Sequence, residues 1–414
     1  MNRVTATERV RKELDAFLTG KEAPGDARQF AGEFVRLAVR RLIQELLETE
    51  RTDFLGREAW ERKPNRQGHR NGYEPAKLKT GEGEIPIELP QVRDSEKPFH
   101  SRLRERLGDR TEVLMQLVLE GYVRGLSTRD VEEALVAATG GPVLSRSGVS
   151  EVTEALWADY QEFQQRSLAE FEVVCLMLDG IWHTLRAQGQ KREAVLCAWG
   201  ILSDGRKVLL HLALGNKESE EDWLAMVRSM VERGLRPPLA VTADGAPGLL
   251  KVIDQVWPKS LRIRCWVHKM RNIKAKLPAD VANEVQAEIY AIRDAGTYEQ
   301  GRELAAAVNA KYRLSYPSAM ACLQDDLEAS LNHLKLPARL RPLVRSSNGL
   351  DRAFEEERRR SKTIPHFFGE KPCLKLMYGV LARVSGHWTR VHYTATELEQ
   401  LTAMRASLGL APWK

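Results

Sequence analysis

The sequence lacks long apolar stretches and is poor in cysteine, and both absences narrow the possibilities. In a chain of 414 residues, no uninterrupted apolar run reaches the ~18 residues needed to span a bilayer. Residues 1–6 lack the apolar core of a signal peptide. The five cysteines are scattered and no pair has zinc-ribbon spacing, which argues against a disulfide framework. We therefore expect a cytoplasmic protein with no membrane partner.

Positive charge is in excess and unevenly distributed. The formal net charge is +6 and the sequence pI is about 9.0, which mildly indicates a polyanionic partner. Much of the charge is concentrated in one short stretch, which is more typical of a phosphate-binding surface than of a generic solvated face. This stretch contains Arg339, Arg341, Arg345, Arg352, Arg358, Arg359, Arg360 and Lys362.

Two aspartates, each followed by glycine, end two apolar runs. Residues 173–178 lead into Asp179, and residues 239–243 lead into Asp244. Such runs predict strands buried on both faces, and a carboxylate at the end of each strand would lie in a crevice. Two carboxylates delivered this way can hold divalent cations ~3.5–4 Å apart, the arrangement that cuts and joins phosphodiesters. The simpler alternative is that each Asp-Gly pair is only a turn.

A third carboxylate is available from residues 346–362, which have the pattern of a helix with a polar start. Asp351 lies in its first turn, and Glu355, four residues later, projects from the same face. Carboxylate oxygens suit Mg²⁺. We therefore predict two metal ions held by Asp179, Asp244 and Asp351, with Glu355 as a further candidate ligand.

The order of predicted elements between residues 171 and 268 indicates the fold class. Three consecutive strands with short connections are expected to be antiparallel, and a helix and two further strands follow them. This is the order of a ribonuclease H-like α/β fold. The predicted strands are 173–178, 194–202, 208–214, 239–243 and 261–267. Residues 269–340 are helical in pattern and predict an insertion into that fold.

Sequence patterns in the N-terminal region predict two candidate DNA-binding elements. Residues 61–76 are a basic loop by composition, followed by two short strands at 77–80 and 83–90. A small sheet there would lie along a phosphate backbone, although a solubilising loop is an equal alternative. Residues 111–170 predict two helices around a Gly-Gly-Pro turn, with a capping box at 127–130. This pattern fits a DNA-binding helix-turn-helix, but it also fits any helical hairpin, which the pattern alone favours.

Cys265 and His268 close the strand that follows Asp244. A structural zinc needs four ligands, and no second pair has suitable spacing. We favour a structural role for both side chains, with His268 positioning DNA or a loop as the alternative. Lys269 and Arg271 come directly afterwards and extend the basic surface.

These segments together resemble the Mutator-type transposases of bacterial insertion sequences. The likeness extends over most of the chain, and several motifs occur in the right order. The most specific segments are 68–73, 125–131, 244–249, 264–272, 347–352 and 358–365.

The resemblance implies a DDE transposase that binds terminal inverted repeats and target DNA in the bacterial cytoplasm, in association with the nucleoid. It implies strand cleavage and joining with two Mg²⁺ or Mn²⁺ ions, commonly by a homodimer. Asp179, Asp244 and Asp351 match the three acids, and Cys265 with His268 matches a Cys-x-x-His signature. The expected DNA contacts are Arg66, His69, Arg70, Arg129, Lys269, Arg271, Arg358, Arg359, Arg360 and Lys362.

The predicted organisation follows from these segments. Helical DNA-binding N-terminal regions precede a ribonuclease H-like core that is interrupted by a helical insertion. The predicted boundaries are 1–60 (helical), 61–108 (basic β/loop), 109–170 (helix-turn-helix-like), 171–268 (first part of the core), 269–340 (insertion) and 341–414 (third acid and C-terminal helices).

Asp351 is the main departure from the family pattern, in which the third acid is glutamate. Aspartate is one methylene shorter, and a misplacement of about 1 Å can cost ~10²-fold in rate. Three outcomes follow: the helix lies closer, Glu355 contributes, or activity is weak. Two alternatives to an active transposase remain. The protein is either a catalytically weakened DNA-binding relative of the same fold or a nuclease without strand transfer.

Overall fold

The computed structural model describes residues 4–20, 27–61, 68–185, 191–215, 217–362, 367 and 369–413, with the backbone only for residues 28, 191 and 348–353. The chain divides into two compact units, Met1–Ala155 and Leu156–Lys414. Arg66 lies outside the described residues, as does the side chain of Asp351.

The first unit is helical with one hairpin among its described residues. Its elements are α1 (Ala6–Leu18), α2 (Ala27–Leu55), β1 (His69–Thr80), β2 (Gly83–Arg93), α3 (Arg102–Leu107), α4 (Glu112–Val123), α5 (Thr128–Thr139) and the start of α6 (Arg146–Gln165). The capping box predicted at α5 is confirmed, since Ser127 and Asp130 cap each other's backbone N–H groups. The helix ends where Gly140 adopts a left-handed conformation.

The prediction of a loop up to residue 76 is wrong for residues 69–76. These residues belong to β1, which pairs antiparallel with the whole of β2. Leu78, Ile85 and Ile87 of this hairpin pack in one core with Ile43 and Leu47 of α2. Burial against α2 and pairing with β2 therefore outweigh the polar composition that indicated a loop.

The second unit contains a sheet with helices on it. Its elements are the rest of α6, β3 (Val173–Leu185), β4 (Lys191–Leu202), β5 (Lys207–Gly215), α7 (Glu220–Glu232), β6 (Ala240–Ala243), α8 (Pro247–Val256), β7 (Leu261–Arg264), α9 (Trp266–Lys274), α10 (Ala282–Arg293), α11 (Tyr298–Tyr312), α12 (Pro317–Gln324), α13 (Leu327–Leu331), a 3₁₀ helix (Asn332–Lys335), α14 (Arg341–Val344), α15 (Asn348–Ser361), α16 (Glu370–Gly386) and α17 (Ala395–Ser407).

Among the described residues this sheet has five strands in the order β5-β4-β3-β6-β7. The first three strands are antiparallel neighbours, as predicted, and β6 and β7 add in parallel to β3. The side of the sheet that carries Leu176, Leu178 and Leu196 packs against Trp223 of α7 and Ile253 of α8. The result is a mixed α/β unit whose strands β3, β5, β6 and β7 end at the same edge.

Two predicted strand ends are wrong. β3 continues past Asp179 to Leu185, because β4 pairs with it throughout, with Asp179 opposite Cys197. β7 ends at Arg264, and residues 266–268 belong to the first turn of α9. The apolar character of Cys265 and Trp266 indicated a strand, but both are buried by a helix start.

The region from residue 269 to residue 340 is helical and has no strand among its residues, as predicted. Its helices form their own core around Trp266, Ile289 and Leu323. All five cysteines lie among the described residues and are free thiols, two of them in strands and two in helices. In the described parts of the chain, no helix is both long enough and apolar enough to cross a bilayer.

Candidate active site

Asp179 lies on β3, and Asp244 directly follows β6, the neighbouring strand. β3 and β6 run parallel, with Met177 opposite Thr242 as the last paired residues. Continued by two residues, the same register would put Asp179 opposite Asp244. Adjacent strands are about 4.8 Å apart. That these two aspartates meet stays a prediction, and the register of β3 with β6 supports it at the point where β6 ends, because β3 itself continues to Leu185.

Both aspartates are held by nearby backbone groups. Oδ1 of Asp179 accepts a hydrogen bond of 2.9 Å from the N–H of Gly180, and the residue is 9% exposed. Oδ1 of Asp244 accepts a hydrogen bond of 3.0 Å from the N–H of Ala246, in the turn before α8. These bonds fix one oxygen of each carboxylate.

Glu218 is a third carboxylate at this edge, and it was missed by the sequence analysis. A side chain at Gly180 would collide with it, since an ideal Cβ there lies 2.1 Å from Glu218 Oε1. Burial raises the pKa of Glu218 to about 7, and the neighbouring charges of Asp244 and Asp179 add to the effect. The available signal was its position after β5, which ends at the same edge of the sheet as β3 and β6.

Arg264 occupies the space beside Gly245. An ideal Cβ on Gly245 would lie 0.9 Å from Nη1 of Arg264, whose side chain is buried. A glycine leaves room for another group to lie close to the backbone. In this structure the open sides of the two glycines after the aspartates are filled by Glu218 and Arg264, so the protein's own charged groups take that space.

Cys265 and His268 adjoin the same two aspartates. The Cys265 side chain raises the pKa of His268 to about 9 against the opposing effect of burial, and Asp179 and Asp244 also contribute. Burial acts to raise the pKa of the Cys265 thiol, but His268 outweighs it and the pKa is lowered. Both partners therefore favour their charged forms, which puts a cationic imidazole near the aspartates.

The start of α15 is fixed beside this pair. The hydroxyl of Ser347, the residue before α15, does not cap the helix and lies 3.6 Å from Cys265 Sγ. The carbonyl of Val344 accepts a hydrogen bond of 2.7 Å from Thr242 Oγ1 on β6. The helix that contains Asp351 therefore begins at the sheet edge where Asp179 and Asp244 lie.

The structure describes only the backbone of Asp351, so its carboxylate lies outside the description. Glu355, on the same helix, is exposed to solvent. Within the described part of the chain, no three His, Cys, Asp or Glu side chains are grouped closely enough to hold a metal ion. The described site therefore consists of two aspartates in register, Glu218 and His268.

The predicted DNA contacts differ in their accessibility. Arg129, Arg271, Arg358, Arg359 and Lys362 are exposed. His69 and Arg70 are half-buried, and Arg70 donates to Thr52 Oγ1 and to the Arg57 carbonyl, each at 3.0 Å. Arg360 is also partly buried, and its guanidinium bonds Glu356 one turn earlier. More of these predicted DNA contacts are therefore exposed than partly buried.

The expectation of a surface position for Lys269 is wrong. Its side chain is 1% exposed, and its ammonium donates to the carbonyl of Asp325. Burial and the nearby Arg264 lower its pKa to about 8. Its place on α9, facing the core of residues 269–340, follows from helical periodicity and not from its charge.

Comparison with known proteins gives the family. The model described as "Transposase, Mutator family" matches residues 11–391. The chain belongs to the Mutator family of transposases. Such a transposase is an enzyme that acts on DNA, and the resemblance stated from the sequence motifs is confirmed.

Individual relatives agree over nearly their full length. The transposase for insertion sequence element ISRM5 of Rhizobium meliloti (strain 1021) is 30% identical over 355 residues, which cover 86% of this chain and 88% of that protein. The transposase for IS406 of Burkholderia multivorans is 31% identical, covering 85% and 90%. The transposase for IS256 in transposon Tn4001 of Staphylococcus aureus is 29% identical, covering 84% and 89%.

Proposed function

We propose that this transposase is of the DDE type, with a ribonuclease H-like core that cleaves and joins DNA strands at the terminal inverted repeats of an insertion sequence. The observation that carries the proposal is the parallel register of β3 and β6, which, continued by two residues, would put Asp179 opposite Asp244. The start of α15 beside Cys265 adds support, since this helix contains Asp351. Three antiparallel strands followed by a helix and two parallel strands agree with the order of elements along the chain that the sequence predicted, and this supports such a core.

The donor set suits Mg²⁺ or Mn²⁺, because its members are carboxylates, which are hard oxygen ligands. Asp179, Asp244 and Asp351 would hold the two ions, with Glu218 beside them. When bound, the ions activate the attacking oxygen and stabilise the leaving oxygen of the phosphodiester. The chain itself supplies the fixed carboxylates, and His268 adds a positive charge beside them.

DNA is expected on the surface that carries the exposed cations. Arg358, Arg359 and Lys362 lie at the end of α15, and Arg271 lies on α9. Their side chains can donate to phosphate oxygens of the inverted-repeat ends and of target DNA. We further propose a homodimer on paired ends, and a cytoplasmic, nucleoid-associated location in a bacterial cell.

The test uses purified protein, a labelled end taken from the DNA that flanks the gene, Mg²⁺ and a target plasmid. Cleavage with joining supports a transposase of this mechanism. Binding alone would indicate a catalytically weakened relative, and cutting without joining would indicate a nuclease. Asp179→Asn and Asp244→Asn should abolish cleavage and leave end binding intact, because each removes a charge without changing shape. Wild-type cleavage by either variant would disprove this site.

A further inference from the structure

Glu357 is a buried carboxylate on α15 with little to compensate its charge. The side chain is 0% exposed, and neither carboxylate oxygen accepts a hydrogen bond from any residue that the structure describes. His183 on β3 is a cationic candidate beside it, with its Nε2 3.4 Å from Glu357 Oε2. His183 is itself only 9% exposed. A buried pair of this kind is costly to desolvate, so stability alone does not account for it.

The pair, which joins α15 to β3, lies beside β4, α16 and Phe367. Glu193 is directly opposite His183 on β4 and is 3% exposed. Cys373 on α16 borders the same space, and burial together with Glu357 and Glu193 raises the pKa of its thiol. The Phe367 ring packs edge-on against the His183 ring, with centroids 5.5 Å apart. The Phe367 N–H also donates to the carbonyl of Thr184 at 3.0 Å, which ties the segment after α15 to β3.

The geometry relates this pair to the candidate active site. His183 follows Asp179 by four residues on β3, so both side chains are on the same face of the strand, ~13 Å apart along it. Glu357 follows Asp351 by six residues on α15, about 9 Å along the helix. The other end of this helix is fixed where Ser347 meets Cys265. Asp351 therefore lies between two contacts of this helix region. One is the contact of Ser347 with Cys265 directly after β7, and the other is the contact of Glu357 with His183 on β3.

We propose that His183 and Glu357 are positioning residues, which fix the helix that carries Asp351 against the strand that carries Asp179. A polar pair is favourable only over a narrow range of distances, so it limits both the rotation and the sliding of α15. An apolar contact restricts these movements less. A shift of about 1 Å in a reacting group can lower a rate ~10²-fold. The inference rests on the proposed function, because it assigns the pair's effect to the third acid.

The test compares Glu357→Ala with the conservative Glu357→Gln. At saturating DNA, Glu357→Ala should slow end cleavage at least tenfold while the Kd for the DNA end stays within twofold. Glu357→Gln keeps the shape and a polar group beside His183, so it should recover cleavage to within about threefold of wild type. Mn²⁺ binding, followed by the electron paramagnetic resonance of free Mn²⁺, should be weaker in Glu357→Ala and restored in Glu357→Gln.

The matched control is Val308→Ala, a core truncation on α11, measured at a temperature where all variants are folded. It should lower the Tm without slowing cleavage or weakening Mn²⁺ binding. Wild-type cleavage by Glu357→Ala, or an equal loss in Val308→Ala, would overturn the inference.

A double variant covers the case in which Glu357→Ala does not fold. His183→Leu with Glu357→Leu fills the same space with apolar groups and should fold yet cleave slowly; wild-type cleavage would overturn the inference. Asp179→Asn in the same assays separates the two proposals. If Asp179→Asn is inactive while the Glu357 variants cleave normally, only the positioning role fails, whereas an active Asp179→Asn removes the proposed function itself.

Discussion

Arg264 and Gly245 share one space, and only a glycine leaves room for the arginine. An ideal Cβ on residue 245 would lie 0.9 Å from Nη1 of Arg264. Arg264 is the last residue of β7 and pairs with Ala243, directly before Asp244. The glycine after the second aspartate therefore lets a buried positive charge lie against the strand end that carries Asp244.

Gly245→Ala should disturb this contact. The added methyl must displace the buried guanidinium, which we expect to lower the free energy of unfolding by about 1–3 kcal/mol and to reduce DNA cleavage. Urea unfolding and the end-cleavage assay measure the two effects. Gly386→Ala is the control, because nothing lies within 4 Å of its Cβ position, and its stability should be unchanged or slightly higher. A Gly245→Ala protein as stable and active as wild type would contradict the contact.

Glu218→Gln tests the carboxylate that lies beside Asp179 and Asp244. Removing its charge should weaken the attraction of the site for cations, so half-maximal cleavage should need a higher Mg²⁺ concentration. A Mg²⁺ titration of the cleavage rate measures this. Glu221→Gln, an exposed neighbour on α7, should titrate as wild type does. Identical Mg²⁺ curves for Glu218→Gln and wild type would show that Glu218 has no part in the site.

Asp351→Glu tests the departure from the family's third acid. Glutamate extends the carboxylate by one methylene and restores the longer reach, so we expect a cleavage rate equal to or higher than that of wild type. Asp351→Asn, which cannot ligate as an anion, should be inactive. A large loss of cleavage in Asp351→Glu would mean that the backbone of α15 lies closer to the sheet and is adapted to aspartate.

Arg358→Ala with Arg359→Ala tests the exposed end of α15. If both side chains contact phosphates, binding should weaken for all DNA sequences, and the slope of log K against log salt should become shallower by about 2. Affinity measured over a series of salt concentrations gives the slope. Arg302→Ala with Arg313→Ala removes the same charge from exposed positions on and after α11 and should leave the slope unchanged. An unaltered slope in the first variant would make these arginines structural.

His211 predicts how stability depends on pH. Burial and the neighbouring Arg233 lower its pKa from 6.5 to about 3, so the unfolded chain binds a proton at a higher pH than the folded protein. The contribution of His211 to the free energy of unfolding has its full value above pH 6.5 and decreases as the pH drops toward 3. Between pH 7 and pH 5, the free energy of unfolding should fall by about 2 kcal/mol less in His211→Gln than in wild type. Urea unfolding at both pH values measures it, and parallel losses would disprove the assignment.

Much of the second unit could be predicted from local sequence pattern. The apolar runs before Asp179 and Asp244, the hairpin between β4 and β5, and the helices from α9 onward follow from periodicity, turns and caps that involve residues close in sequence. The single capping box formed by Ser127 and Asp130, in the first unit, is of this kind. Two aspartates at the ends of two apolar runs also led to the prediction that their carboxylates hold metal ions together.

Contacts between distant segments determined the rest. Tertiary structure alone decided that Glu218 fills the space beside Gly180, that Lys269 faces a core, that β1 extends over residues 69–76, and that Glu357 meets His183. The charge of Lys269 indicated a surface, but a side chain's exposure depends on what packs on it. The sequence by itself determined which residues carry charge and which segments form strands and helices. The fold decided which charges meet, because strand register and helix packing join groups that no local pattern relates.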